Sequence, residues 1–432
     1  MIKQIIFGLT LLLTLGVFAY TIWRLGKFFR FTKPYPVGDW GKRIAVFAGV
    51  GLAQTKILRR PVVGLMHALV FWGFLVITLG SVEMVIDGLT GSHRFLEVLS
   101  PVYTVIVFSG DIFAGIILVL ISAFIARRLF MKIKRFYGDE MKPISKIDAY
   151  AALSIILLLM VSLLGLNMSW NQLNDQQFSN RLPVSSFLTS LFSSLPDDTV
   201  FSLHEVFWWM HILLIFIFAN LLPYSKHFHV FTSLPNVLLS RLTPLGKLDH
   251  MPAMEKEVRM MMNPDQAFAA TTNDAPPERF GVKDVNDVTW KNYLDALACT
   301  ECGRCTSVCP ANITGKKLSP RKIVMDVRAR MKEKGPNLVK FGKDFEDGRS
   351  LVGDYITAEE LWACTTCNAC AQECPVNINQ PSMIVDMRRY LVLEEAAVPS
   401  SLASMLSNIE NNGAPWQYPA EEREKWMKEL TR

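Results

Sequence analysis

The sequence has no cysteine before Cys299 and none after Cys374, so all eight act within one short region. It also lacks a Gly-x-Gly-x-x-Gly phosphate loop and any nucleophile–base constellation, which excludes a self-contained dehydrogenase. Charge is thin: 19% of the 432 residues are charged against 50% hydrophobic, and the apolar excess lies before residue 225. The length leaves room for two or three domains. The net charge of +6 is no sign of nucleic acid, because a chain that crosses a membrane concentrates Lys and Arg in its cytoplasmic loops for topological reasons.

The cysteines fall into two runs, Cys299-Thr-Glu-Cys302-Gly-Arg-Cys305-Thr-Ser-Val-Cys309-Pro310 and Cys364-Thr-Thr-Cys367-Asn-Ala-Cys370-Ala-Gln-Glu-Cys374-Pro375. Each reads C-x2-C-x2-C-x3-C-P. Three thiolates two residues apart can wrap one iron–sulfur cube, because the intervening dipeptides turn the loop and aim backbone N–H groups at its sulfides. The fourth leaves in another direction. The spacing resembles that of bacterial two-cluster ferredoxins, in which the fourth cysteine ligates the neighbouring [4Fe-4S] cube. That arrangement assigns Cys299, Cys302, Cys305 and Cys374 to one cluster and Cys364, Cys367, Cys370 and Cys309 to the other. Structural zinc takes four ligands in C-x2-C pairs, but it does not ask for a third cysteine at the same interval and Cys-Pro in both halves. Disulfides are disfavoured on a cytoplasmic face, where thiols stay reduced.

Five apolar stretches approach the roughly twenty residues needed to span a bilayer: Ile5 to Trp23, Val62 to Ile86, Val102 to Ala126, Ala149 to Leu166 and Val206 to Leu222. The first is not read as a signal peptide, since a basic loop from Arg24 to Arg60 follows it. Basic residues crowd that loop and the one from Arg127 to Lys146, whereas Arg94 and Arg181 stand alone in the other two. The alternation places the N-terminus outside and the cysteine domain in the cytoplasm of a bacterial inner membrane, with Trp208-Trp209 at the outer interface.

His204, His211 and His229 return to one face of the last helix if it runs on past Pro223. His211 then lies near the outer end and His229 near the inner end, roughly 27 Å apart. His67 lies about 10 Å in from the cytoplasmic side. Two antiparallel helices can clamp a b-type haem only when their histidines match in depth, which favours His67 with His229 over His67 with His211. The plainer alternative makes His229, like His227, a solvated histidine beside Lys226. Glu83, Asp87, Asp111 and Glu205 sit at or near the outer helix ends, where carboxylates and a histidine would suit a quinone pocket. Glu83, Asp87 and Glu205 are equally explained as solvated boundary residues; Asp111 resists that explanation.

The segments Trp209-Met-His211 through His229 and Gly64-Leu-Met-His67 through Phe74 resemble the last and second helices of the cytochrome b (gamma) subunit of respiratory nitrate reductases. In that family a second histidine ten residues after the first completes a distal haem. This sequence has Ile77 there, so the resemblance implies an inner haem between His67 and His229 and leaves His211 without a partner on the second helix. His93 or His204 would be substitutes.

Cys-Thr-Glu-Cys-Gly-Arg-Cys with Thr314 to Pro320 is similar to the two-cluster subunit of heterodisulfide reductases. Its relatives include the anaerobic glycerol-3-phosphate dehydrogenase iron–sulfur subunit and electron-transfer flavoprotein:quinone oxidoreductases. The Cys-Cys-Gly sequence of that family is missing here, which implies a catalytic cysteine-rich domain on a separate polypeptide.

The expected fold is therefore mainly α. A five-helix transmembrane cytochrome b-like bundle (1–229) is followed by a connector (230–284) expected as an irregular strap with breakers at Asn263-Pro264 and Pro276-Pro277. An all-helical and loop two-[4Fe-4S] ferredoxin domain (285–395) comes next, and then a tail (396–432) that either docks a partner or packs on its own domain. Trp290 to Leu297 and helices begun by Ser319-Pro320 and Pro381 are expected in the ferredoxin domain, the last two as an internal repeat. The expected function is that of a membrane anchor and electron-transfer subunit. It passes electrons between a cytoplasmic partner, a Cys-Cys-Gly subunit or flavoprotein, and the quinone pool through two clusters and b haem. The alternatives are an electron-transfer subunit of a glycerol-3-phosphate or hydroxy-acid dehydrogenase, and a redox sensor without turnover.

Overall fold

The computed structural model describes residues 1–263 and 279–430, so Pro264 and Pro276-Pro277 lie outside the described residues. Five helices are long and apolar enough to cross a membrane: α1 (Ile2–Phe28), α2 (Pro61–Thr90), α3 (Val102–Phe130), α4 (Pro143–Leu173) and α5 (Asp197–Leu221). All five outrun their apolar stretches because polar ends are captured too. Pro61 and Pro143 start α2 and α4 at the first turn, where a missing N–H leaves nothing unpaired. Gly91, at φ +76°, closes α2 by donating to the carbonyl of Asp87 at 2.8 Å.

The helices form a ring in chain order, each packing on the next and α5 returning to α1. Glycines set the closest approaches. A Cβ on Gly88 would stand 2.6 Å from the Phe7 ring, and one on Gly165 2.7 Å from that of Phe207, so α1–α2 and α4–α5 come together where no side chain intervenes. Leu9, Leu12, Val105 and Val119 are exposed on the outside of the ring, as suits a lipid-facing surface. The chain is a membrane protein.

α5 does not run on to His229. Pro223 has no N–H to continue the ladder, so the chain passes through two 3-10 turns, with Ser225 Oγ accepting from the His227 N–H at 2.9 Å. It then starts α6 (His229–Leu238). The face-sharing argument for His211 and His229 therefore loses its premise. Trp208 also differs from expectation: α5 begins at Asp197, so Trp208 lies well inside it, 7% exposed and packed on Phe7. The connector is helical in part, at α6 and at Pro252–Met262.

Three helices frame the cysteine region: α7 (Trp290–Ala298), α8 (Pro320–Phe341) and α9 (Gln380–Leu393). Thr289 and Asn292 make a reciprocal cap on α7, while Ser319 and Asn379 cap the helices that follow each cysteine run. Ile323, Val324, Val327 and Met331 of α8 are fully buried in a core that also takes in Leu25 and Phe28 of α1. The bundle and the cysteine region thus share one core. Buried polar groups add to it. Lys291 Nζ donates to Asn236 Oδ1 at 2.9 Å, and Asn236 Nδ2 to Asp295 Oδ1 at 2.9 Å and to the Val376 carbonyl at 2.9 Å.

Arg330, fully buried on α8, holds Asp284 at 2.8 Å and Asp347 at 2.7 Å. The Arg330 guanidinium keeps the Asp347 carboxyl down at about 2. Against the opposing effect of burial, Arg330 and Lys334 hold Asp284 below the ordinary range as well. Both carboxyls titrate lower folded than unfolded. Their stabilisation is complete above the ordinary carboxylate pKa of about 4 and is lost as pH falls from there toward 2. Arg330→Met strands two carboxylates and should lower stability by about 3–5 kcal/mol. Thermal midpoints in detergent across pH check this, and the variant should lose less than the parent on acidification.

Candidate functional site

The two cysteine loops are built alike. Glu301 (φ 56°) and Gly303 (φ 72°) flank Cys302, and Thr366 (φ 52°) and Asn368 (φ 61°) flank Cys367. Left-handed residues on both sides of the middle cysteine turn successive N–H groups inward, the anion-binding concavity that a negatively charged cluster needs. Non-glycine residues hold that conformation at a cost of about 1–2 kcal/mol each, and strain of this kind gathers at functional sites. Thr366 donates its N–H to Cys364 Sγ at 3.4 Å, and Ile378 donates to Cys374 Sγ at 3.4 Å.

Cys305 lies within electrostatic range of Cys302, Cys299 and Cys374, and also of Cys370, which in turn is within range of Cys364, Cys309 and Cys367. Cys374 thus lies near the first three cysteines of the first run, and Cys309 near Cys364 and Cys370 of the second. Burial pushes the Cys299 thiol up to about 11 and those of Cys370 and Cys374 up to about 12, a setting in which thiolates need a cationic centre among them. The two groups differ in exposure. Cys367 is exposed with Thr365 and Thr366 beside it, while Cys299, Cys305 and Cys374 are buried.

The first group sits against the bundle. Arg304 donates to the carbonyls of Lys56 at 3.0 Å and Ile57 at 3.3 Å, in the segment leading into α2. Lys56 Nζ in turn reaches the Cys374 carbonyl at 3.3 Å, and Arg60 pairs with Glu373 at 3.0 Å. Arg321 and Glu140 join the second basic loop at 2.6 Å.

His67 and His229 come within electrostatic reach of each other although they belong to α2 and α6. His67 is exposed on α2. His229 Nδ1 donates to the Lys226 carbonyl at 3.3 Å, which leaves Nε2 as its free ligand atom. Burial, with His227 and His67 beside it, pushes His229 down to about 3, so its imidazole is neutral.

At the end of the ring away from the cysteines lies a cavity of about 320 Å³. Its wall includes Ile77 of α2 and His204 and His211 of α5. His211 lies mid-helix, since α5 starts at Asp197. Its Nδ1 is held by the Leu159 carbonyl at 3.0 Å and Ser162 Oγ at 2.9 Å; one repeat away His204 Nδ1 meets Ser169 Oγ at 3.1 Å. His93 stacks on Trp170, with ring centroids 5.5 Å apart, and Trp170 lies 5.7 Å from the His204 ring. Trp170 Nε1 and Gln4 Oε1 are buried without a hydrogen-bond partner among the described residues, and both side chains line this cavity.

The carboxylates expected to serve a quinone are engaged instead. Asp87 accepts from the N–H groups of Arg94 and Phe95 at 2.9 and 3.0 Å, Glu83 from Leu96 N–H at 3.0 Å and Tyr103 Oη at 3.1 Å, and Glu205 from Lys3 at 2.7 Å. Asp111 accepts from Val184 and Ser185 N–H at 2.7 and 3.0 Å, and from the Ser185 hydroxyl, so it caps the helix Pro183–Thr189 from a neighbouring element. Sequence reasoning missed Arg304, Lys56 and Trp170. Only the glycine and asparagine at the matching positions 303 and 368 gave any signal of the paired left-handed turns.

Residues 298–378 match the 4Fe-4S dicluster domain family. The chain is 29% identical over 410 residues to a probable iron-sulfur-binding oxidoreductase, FadF, of Bacillus subtilis, covering 87% of this chain and 54% of that one. It is 28% identical over 453 residues to the EtfAB:quinone oxidoreductase of Syntrophomonas wolfei, covering 97% and 59%. Over 107 residues it is 33% identical to one subunit of a ferredoxin/F(420)H(2)-dependent CoB-CoM heterodisulfide reductase of Methanosarcina acetivorans, covering 24% and 52%. The chain thus spans little more than half the length of these relatives. No solved structure matches it. The chain joins five membrane-length apolar helices to a region that matches the 4Fe-4S dicluster domain, a make-up that fits a membrane-anchored two-cluster ferredoxin fusion and supports an electron-transfer role. Because Asp111 acts as a cap, Asp111→Ala should lower the thermal midpoint in detergent by an amount equivalent to about 2 kcal/mol. Iron and sulfide content, measured on the same samples, should stay at the parent level.

Proposed function

We propose that this chain is a transmembrane electron conduit, with an exposed cysteine cluster at one end and a quinone cavity at the other. Its partner is an electron-transfer flavoprotein or a Cys-Cys-Gly-domain protein. The observation that carries this reading is the order of sites along the molecule. The loop of the exposed Cys367 comes first, then the group of the half-buried Cys302 with the buried Cys299, Cys305 and Cys374, then His67 and His229, and last the cavity with its unpartnered Trp170 N–H.

The eight cysteines are the cluster ligands, with Cys374 serving the first run and Cys309 the second. Cations differ between the two groups. Arg135, Arg304 and Lys56 surround the first, and Arg388 approaches the second through the Cys364 carbonyl. Positive charge favours the reduced state of a cluster, so an electron received at the exposed group is drawn inward. His67 and His229 would serve a b-type haem as axial ligands: both side chains keep solvent-accessible surface, and His229 is neutral with its Nδ1 engaged. A haem held there supplies a one-electron carrier between clusters that take single electrons and a quinone that takes two.

At the far end the Trp170 N–H is placed to donate to a quinone carbonyl, and Gln4 Oε1 to accept from a quinol hydroxyl. His211 presents Nε2 to the cavity because α4 holds its Nδ1. The cavity adjoins Ile77, ten residues or about 15 Å along α2 from His67. Exposed basic residues gather at the cysteine end, which supports a cytoplasmic placement of that end and an external N-terminus in a bacterial inner membrane. The donor's own chemistry lies on a partner or on sequence beyond this chain.

Iron, sulfide and pyridine haemochrome assays on the purified protein test the reading, with eight irons and one haem expected. Two haems would reassign the cavity to a second porphyrin at His211. His67→Ala and His229→Ala should each abolish the b-type band, and its survival in both ends the haem assignment. Cys374→Ser should remove the cluster of the first run and Cys309→Ser that of the second, each leaving one reducible cluster by EPR. Trp170→Phe should raise the KM for a soluble menaquinone analogue several-fold while the haem band is kept.

A further inference from the structure

We propose that the Lys56–Ile57 backbone is a built spacer between the first cysteine group and His67, with Arg304 and Gly64 as its positioning residues. The proposal rests on the haem reading above. Arg304 lies between Cys302 and Cys305 and is 6% exposed. Its two terminal nitrogens bond the consecutive carbonyls of Lys56 and Ile57, at 3.0 and 3.3 Å. A planar fork can do that and a lysine ammonium cannot do so equally well. The same segment is held from the other cysteine run, because Lys56 Nζ reaches the carbonyls of Cys374 at 3.3 Å and Ala371 at 3.5 Å. Both chain stretches assigned to the first cluster therefore grip one dipeptide.

The Ile57 carbonyl that Arg304 holds also rests on α2. A Cβ on Gly64 would stand 2.2 Å from the Ile57 carbonyl oxygen and 3.1 Å from Leu58 Cα. Backbone thus meets backbone there, and no side chain fits between. Gly64 is three residues before His67, less than one helical turn. The route from Cys305 through Arg304 and the Ile57 carbonyl to Gly64 and His67 is short and continuous. Arg304 is also near enough to act electrostatically on His67.

With a cluster and a haem bound, the spacer would serve the passage of one electron from the first to the second, oxidising the cluster and reducing the haem with no proton moved. A guanidinium that merely satisfied the last carbonyls of the short helix Thr55–Leu58 would affect stability alone. The spacer role makes two further claims: Arg304 raises the haem potential through its charge, and the gap sets the transfer rate.

The experiment is laser-flash reduction of the detergent-solubilised protein by a deazaflavin radical. It follows the cluster bleach and its recovery as the haem band grows, alongside an equilibrium redox titration of the haem. Arg304→Gln should lower the haem midpoint potential and slow transfer by about tenfold or more, in line with the steep rate penalty of small displacements. Arg304→Lys should restore the potential but not the rate, since it returns the charge without the fork. Gly64→Ala should slow transfer and leave the potential near the parent value. The two arginine variants carry the test whether or not Gly64→Ala accumulates. Variants with the parent's haem and iron content, potential and transfer rate overturn the spacer. A parent without haem overturns the haem reading itself.

Discussion

Arginine and lysine side chains from one half of the molecule, bonded to main-chain carbonyls of the other, are what the remaining architecture depends on. Arg304 reaches from the cysteine region into the loop before α2, while Lys56, Arg59 and Arg60 reach back to residues 371–374. Arg321 and Glu140 make a second such junction, buried on both sides. Carbonyls at bends and helix ends have no partner of their own, and a buried unpaired one is costly. The bonds from Arg304, Lys56 and Arg59 satisfy such groups, the Arg60–Glu373 and Arg321–Glu140 pairs join side chains, and every one of them fixes a distance. Two cysteine loops that would otherwise be tethered by a connector are thereby seated on the bundle, continuous in core with α1.

The basic residues that mark these loops consequently do two things. Their number sets topology through the membrane potential and the translocation machinery, which read charge and not geometry. Their individual positions form the seat for the cysteine region. Arg43 adds a third example, donating to the carbonyls of Gly38 and Ser240 from a site 4% exposed.

The far end of the bundle is organised by the opposite charge. Glu83, Asp87 and Asp111 are acceptors for N–H groups that begin turns or short helices, so the carboxylates shape the rim of the cavity. Among the described side chains that line the cavity, the buried groups left without protein partners are neutral: an indole N–H and an amide oxygen.

Much of this was readable in advance. The five apolar stretches, the Pro and Ser starts of α8 and α9 and the repeated C-x2-C-x2-C-x3-C-P runs are local patterns, and local patterns follow from propensity, length and spacing. Other features were not readable. Pro223 ended α5, which removed the premise for placing His211 and His229 on one face, and α6 brought His229 toward His67 by another route. Asp111 looked like an isolated intramembrane acid because its partners, Val184 and Ser185, are over seventy residues away. Arg304, Gly64 and Trp170 carry no distinguishing pattern at all. The sequence alone determined that the chain crosses a membrane and holds two cysteine sites, because hydrophobic length and ligand spacing are properties of contiguous residues. Only the tertiary structure decided which cysteine is exposed, what Asp111 caps and which polar atoms line the cavity, because those depend on contacts between residues far apart in the chain.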